Sequence, residues 1–156
     1  FFEFLKDDPV RPHIPHDNRV GNNKDIFVLR NSDDTVKAIT CVSYQDFVPA
    51  SEAELFSISE HPTIAVFYTI WSYHPGAGRT LIFDAVAHIK DTRPEIRQFV
   101  TLSPQTEMAR RFHHKNGAVT LRINADTVNY EYVQKIELTV PDTTESMVQE
   151  SSYLPG

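Results

Sequence analysis

Cysteine is almost missing: Cys41 is the single one among 156 residues, so no disulfide can form within the chain. A lone thiol fits a reducing compartment. No apolar run approaches the roughly 18 residues of a membrane span, and no signal-peptide pattern is visible, so a cytoplasmic protein with no membrane partner is expected. The opening FFEFLKDD has no Met, which leaves room for an upstream portion. Runs of Lys or Arg are lacking and the formal net charge is −6, which argues against nucleic acid as a partner. No clustered Cys, His and carboxylates support a metal site. His13 and His16 are interrupted by a proline, so no metal is expected. Internal repeats are absent too. What is present, 40% hydrophobic and 23% charged residues, is the composition of one globular domain able to fold without staples.

Residues 1–24, with Pro9, Pro12, Pro15 and a polar run ending in Asn22-Asn23-Lys24, read as an irregular lead-in. Residues 25–140 read as the domain. IFVLRN (26–31) and VKAITCVSY (36–44) are β-branched and aromatic, and Ser32-Asp33-Asp34 between them predicts a hairpin. FVPASEAELFSIS predicts a short helix or loop with Ser51 as N-cap before Glu54. TIAVFYTIW (63–71) is nearly continuous in apolar residues, as in a strand covered on both faces. SYHPGAGR then turns the chain into a helix with Ile82, Ala85, Val86 and Ile89 on one buried stripe. QFVTLS (98–103) is the next strand, so the unit is a right-handed βαβ crossover with parallel strands. A second helix is predicted over about 105–115, with Met108, Ala109 and Phe112 facing inward and Asn116-Gly117 ending it. AVTLRIN and TVNYEYVQKIELTV supply the last strands. The polar tail, 141–156, is expected to be loose.

The turn Tyr73-His74-Pro75-Gly76-Ala77-Gly78-Arg79 joins a buried strand to a helix. Backbone amides at such a helix start, with the helix dipole, favour an anion, and Arg79 adds a cation. The same pattern also serves as a plain tight turn. It is neither a Walker loop nor a full dinucleotide fingerprint.

Gly76-Ala77-Gly78 followed by Leu81-Ile82 resembles the pyrophosphate loop of the GNAT acyltransferase superfamily, which binds coenzyme A. Ala109-x-x-Phe112-His113-x-Lys115-x-Gly117 resembles that superfamily's second-helix signature, with His113 where a Tyr is usual. Within it, AVFYTI, PGAG, FVTLSP and FHHKNGAVTLRIN resemble blocks of the catalytic C-terminal domain of malonyl-CoA decarboxylase in the same order. The likeness covers about residues 25–125. It implies an α+β fold: a mixed, mostly antiparallel sheet with one splayed parallel pair and flanking helices. It also implies an acyl-CoA substrate, with Tyr68, Thr69, Ile70, Gly76, Ala77, Gly78, Arg79 and Thr80 holding the coenzyme, and Ser103 and His113 as catalytic residues. Departures from that family are a long helical insertion between its catalytic Ser and His, an upstream helical domain, and a loop richer in Gln. Here nine residues separate Ser103 from His113.

By this reading Ser103 hydrogen-bonds the acyl group and His113, an imidazole titrating near neutrality, returns a proton to the enolate left by decarboxylation. The alternatives are an acyl-CoA N-acyltransferase, with His113 as donor to the thiolate, and a non-catalytic acyl-CoA-binding module. The acyl group, any acceptor and the oligomeric state are not encoded legibly. One straight helix over 104–113 would part Ser103 and His113 by about 15 Å; a late start at Pro104 and Thr106 brings them together. At each position a plainer role competes. His113 also suits a helix C-terminus through the dipole, and His114 reads as its solvated neighbour. Ser103 can be a strand-end turn residue, with Thr101 its nearest competitor. His74 reads as a turn residue, Tyr68 and Trp71 as core or pocket wall, and Asp84 with His88 as a surface pair.

Overall fold

In the computed structural model, residues 2–133 and 145–150 are described, and every structural statement here concerns them. The end of the last predicted strand (134–140) and tail residues 141–144 and 151–156 lie outside that range.

The β-branched runs pair as expected. β1 (Lys24–Asn31) and β2 (Val36–Gln45) form an antiparallel hairpin. Its turn works because Asp33 accepts the Thr35 amide at 3.1 Å while Asp34 takes φ +71°, a conformation Asp tolerates. β3 (Ile64–Ser72) lies antiparallel to β2. α1 (Ala77–Thr92) then crosses back, burying Leu81, Ile82, Ala85, Val86 and Ile89, and delivers β4 (Gln98–Thr101) parallel to β3. The predicted strand 98–103 is broken in two: β5 (Ser103–Pro104) turns off to pair with a later strand. α2 (Glu107–Lys115), β6 (Val119–Ile123) and β7 (Thr127–Glu131) follow. The sheet order is β5-β7-β4-β3-β2-β1, with β6 on β7.

Three expectations need correcting. Glu145–Glu150, part of the supposedly loose tail, forms β8 against the far edge of β1. Backbone pairing to an open edge orders a polar segment that composition alone cannot. Met108 is 82% exposed instead of facing in. The inward stripe of α2 is Ala109, Phe112, His113 and then Asn116 at its C-cap, and Met108 falls outside it. The short element after β2 is a 3-10 helix, Glu52–Phe56, and Ser51 makes no side-chain cap there; the Glu54 carboxylate instead accepts the Ala50 amide at 2.8 Å.

Alternation along the strands divides the core between the sheet's two faces. Phe27, Leu29, Val42, Phe67 and Phe99 pack under α1 with Leu81 and Ile89. Ile26, Val28, Ile39, Val66 and Leu102 form the opposite cluster, closed by Leu5 and Ile14 of the lead-in and by Leu55. No helix among the described residues is long and apolar enough to cross a membrane.

Candidate active site

The parallel pair opens where the chemistry was expected. β3 and β4 stay in register from Ile64–Gln98 to Phe67–Thr101, and Leu102 N–H closes the ladder on the Phe67 carbonyl at 3.0 Å. Opposite β2 the register slips between Cys41 and Val42, leaving Tyr68 as the extra residue of a bulge. Beyond it β3 continues to Ser72, while β5 departs to pair with β7, so the strands part.

The predicted coenzyme residues fall into two groups. Of the strand residues, Tyr68 and Thr69 are buried and already occupied. The Tyr68 carbonyl accepts from the Arg11 guanidinium, the Thr69 carbonyl accepts from the Thr40 hydroxyl at 2.8 Å, and the Thr69 hydroxyl donates to Asp8 at 2.7 Å. Ile70 is half-buried, its side chain near Gly78. The loop residues sit together at the start of α1. Gly76 is the N-cap at φ +80°, a left-handed conformation that costs a residue with a Cβ. Gly78 is needed for a different reason: a Cβ there would lie 3.1 Å from Phe112 Cε1, so this glycine lets α2 close on α1. Ala77 is buried beside it. The Thr80 amide and hydroxyl both donate to the Gly76 carbonyl, at 3.2 and 3.3 Å. The Gly78 and Arg79 amides, in the first turn, have no acceptor within the helix. The Arg79 guanidinium lies over the Phe83 ring and donates to Asn116 Oδ1 at 3.3 Å.

Ser103 and His113 do meet. Thr106 caps α2, its hydroxyl accepting the Ala109 amide at 3.2 Å, so the helix starts late and the chain folds back on itself. His113 Nε2 lies 3.3 Å from Ser103 Oγ, and Nδ1 lies 2.7 Å from the Tyr132 hydroxyl. Ser103 in turn donates to Thr101 Oγ1 at 2.8 Å, which also accepts the Tyr130 amide at 3.1 Å. With the Ser103 proton on Thr101, Ser103 Oγ takes the Nε2 proton of His113, and Tyr132 donates to Nδ1. One line of protons thus runs from Tyr132 through His113 to Ser103. Phe112 and Tyr132 meet the imidazole edge-on, while the Tyr130 ring stacks on it at 5.1 Å.

This burial overturns the expectation of a neutral-range titration. His113 is 4% exposed, and burial, with the neighbouring His114 charge, pushes its pKa down to about 4. Both nitrogens face hydroxyls and neither faces a carboxylate, so nothing offsets the desolvation of a cation. At neutral pH the ring is uncharged. Burial likewise raises the Tyr132 phenol, against a smaller opposing pull from Arg79. His114 is exposed and bonds Thr120 at 2.9 Å.

The other histidines stand apart from this line. His13 pairs with Glu52 at 2.6 Å and His88 with Gln149 of β8 at 2.9 Å. Among the described residues no group of three or more His, Cys, Asp and Glu could hold a metal. A cavity of about 370 Å³ opens at the other end of β4 and β7, between Lys90, Arg97 and Glu131, and touches the site only through Tyr132. Sequence reasoning missed Tyr132. The i, i+2 spacing of Tyr130 and Tyr132 in NYEY was the one available signal, since it sets both rings on one strand face.

Comparison with known proteins places this architecture. No family model matches the sequence, and no curated protein does. Among solved structures, malonyl-CoA decarboxylase from Agrobacterium vitis superposes with a TM-score of 0.59 at 23% identity, over 70% of this chain and 31% of that one. A putative acetyltransferase of the GNAT family from Desulfovibrio desulfuricans gives 0.50 at 18% identity, over 70% and 67%. The fold is that of the GNAT acyltransferases. Malonyl-CoA decarboxylase from Cupriavidus metallidurans matches at 0.50 and 18% identity, over 62% of this chain and 26% of its own. This chain therefore spans about a third or less of the decarboxylases it resembles.

Proposed function

We propose that this GNAT-fold chain acts on an acyl-CoA, and that its reaction is decarboxylation of a malonyl-type thioester. The observation that carries the reading is the 3.3 Å contact between Ser103 Oγ and His113 Nε2, next to the point where β3 and β4 part. In decarboxylation the bond from the α-carbon to the carboxylate breaks, carbon dioxide leaves, and the electron pair passes into a thioester enolate. A hydroxyl donor at the developing enolate oxygen contributes roughly 3–4 kcal/mol by the oxyanion-hole precedent. The Ser103 hydroxyl, turned from Thr101 toward a bound thioester, is that donor in this reading. The α-carbon then needs one proton. Ser103 gives it up as His113 Nε2 refills the hydroxyl and Tyr132 refills Nδ1, and solvent restores the phenol. Moved in concert, the protons leave no buried ion behind. A neutral imidazole suits this relay better than an imidazolium, which burial disfavours here.

A second reading, transfer of the acyl group to an amine, draws support from the acetyltransferase likeness, which extends over two thirds of that protein. Deprotonating an ammonium needs a competent base, and a buried imidazole with a pKa near 4 is a weak one. Malonyl-CoA incubated with the protein alone should release carbon dioxide and acetyl-CoA. Product formed only when an amine is added would favour transfer; binding with neither reaction would favour a module that holds acyl-CoA.

A further inference from the structure

Thr101 ends β4 two residues before Ser103, and the two hydroxyls lie 2.8 Å apart. Thr101 is wholly buried and held by β7 from two sides. Its carbonyl accepts from the Asn129 side-chain amide at 2.8 Å, and its Oγ1 accepts the Tyr130 N–H at 3.1 Å. These bonds fix the Thr101 oxygen beside Ser103.

Thr101, Ser103, His113 and Tyr132 form a row joined by contacts of 2.8, 3.3 and 2.7 Å. An uncharged imidazole carries a single N–H, so the row runs one of two ways. In one, Tyr132 donates to Nδ1, Nε2–H donates to Ser103, and Ser103 donates to Thr101. In the other every bond is reversed, and His113 is the Nδ1–H tautomer. Either way one hydroxyl proton is left over at an end, that of Thr101 or that of the phenol. The phenol is the stronger acid and the poorer acceptor, so the phenol donates. The lengths agree: 2.7 Å is usual for a hydroxyl donor and short for an N–H donor, and the longest contact is the one assigned to an N–H. Ser103 Oγ has two partners within the fold, Thr101 and His113. With Nε2 protonated, the serine proton goes to Thr101.

We propose that Thr101 is a positioning residue, which takes the proton of resting Ser103 and so keeps His113 in the Nε2–H tautomer. The consequence for turnover rests on the decarboxylation reading above. When Ser103 turns to a thioester, Nε2–H still points at its oxygen, ready to refill the hydroxyl. The Nδ1–H tautomer has no proton to give on that side, and the relay stops.

Nitrogen-15 NMR of the ligand-free whole chain at neutral pH, where the ring is uncharged, tells the tautomers apart. Carbon dioxide release from malonyl-CoA reads turnover. The proteins are the wild type, Thr101→Ser and Thr101→Val. Thr101→Val keeps the shape but accepts no bond and strands the Tyr130 N–H, so folding is checked by thermal denaturation. His113 should be Nε2–H in the wild type and in Thr101→Ser. In Thr101→Val the Ser103 proton turns to Nε2, and the ring becomes Nδ1–H. Turnover of that variant should fall about a hundredfold or more at unchanged coenzyme A affinity, and Thr101→Ser should restore it. An Nδ1–H ring in the wild type overturns the assignment, and so does an Nε2–H ring in folded Thr101→Val. A switched ring with wild-type turnover overturns the positioning role. Thr101→Ala, which also lacks the acceptor, replaces Thr101→Val if the latter does not fold. The tautomer is read without ligand, so an Nε2–H wild type that releases no carbon dioxide overturns the decarboxylation reading alone.

Discussion

His113 has a hydroxyl on each ring nitrogen and aromatic rings around it, so its charge state follows from its surroundings. Titration of its ring carbons by NMR should give a midpoint near pH 4; a midpoint near the ordinary 6.5 would show the site to be more hydrated than this. The same shift has a stability consequence. A folded pKa below the unfolded one means that the unfolded chain binds more protons between pH 6.5 and 4, so stability falls as pH drops through that window. The loss is about 3 kcal/mol in denaturant unfolding, and His113→Gln should remove most of it. Ser103→Ala should lower turnover about a hundredfold or more while costing only about 1–3 kcal/mol for the stranded His113 N–H, read by comparing kcat with the denaturation midpoint. Ser103 and His113 were legible because each lies in a short, distinctive block. The neutral state of His113 was not, because burial is a property of the folded neighbours. Tyr132 was hidden for a related reason: a tyrosine in an alternating strand reads as core until the strand is placed beside α2.

The elements meet at the first turn of α1, where two glycines serve different ends. Gly76→Ala must hold an alanine at φ +80° and should cost on the order of 1 kcal/mol in thermal unfolding. Gly78→Ala pushes a methyl into Phe112 and should cost about 1–3 kcal/mol. Phe112→Leu should recover part of that loss in the double variant but none in the Gly76→Ala background. Both glycines were visible in the sequence, and so was the cap at Thr106 that brings Ser103 to His113. The packing reason for Gly78 was not visible, because it depends on where α2 lands. Met108 misled for the same cause: hydrophobicity suggested an inward face, while the helix turns its Ala109–Asn116 stripe to the sheet.

At the scale of the whole molecule, the lead-in is part of the fold. Asp8 accepts the Val10 and Arg11 amides and the Thr69 hydroxyl, and it pairs at 2.9 Å with Arg19, which is wholly buried. Asp8→Ala strands that cation and should destabilise the chain by about 3–5 kcal/mol in urea unfolding. The proline-rich composition revealed neither the 3-10 helices Phe2–Asp7 and His16–Asn18 nor the buried ion pair, whose Asp8 ties the segment to β3. Likewise the parallel crossover was readable from β3, α1 and β4, whereas the break into β5 and the pairing of β8 depend on partners distant in sequence. The central claim is that Ser103 and His113 act as one relay on a bound malonyl thioester. Its most direct measurement is carbon dioxide release from malonyl-CoA by the wild type, Ser103→Ala and His113→Ala, with coenzyme A affinity measured alongside. Release should be strong in the wild type and nearly lost in both variants, at unchanged affinity. Undiminished release from His113→Ala, or none from a wild type that binds coenzyme A, would contradict it.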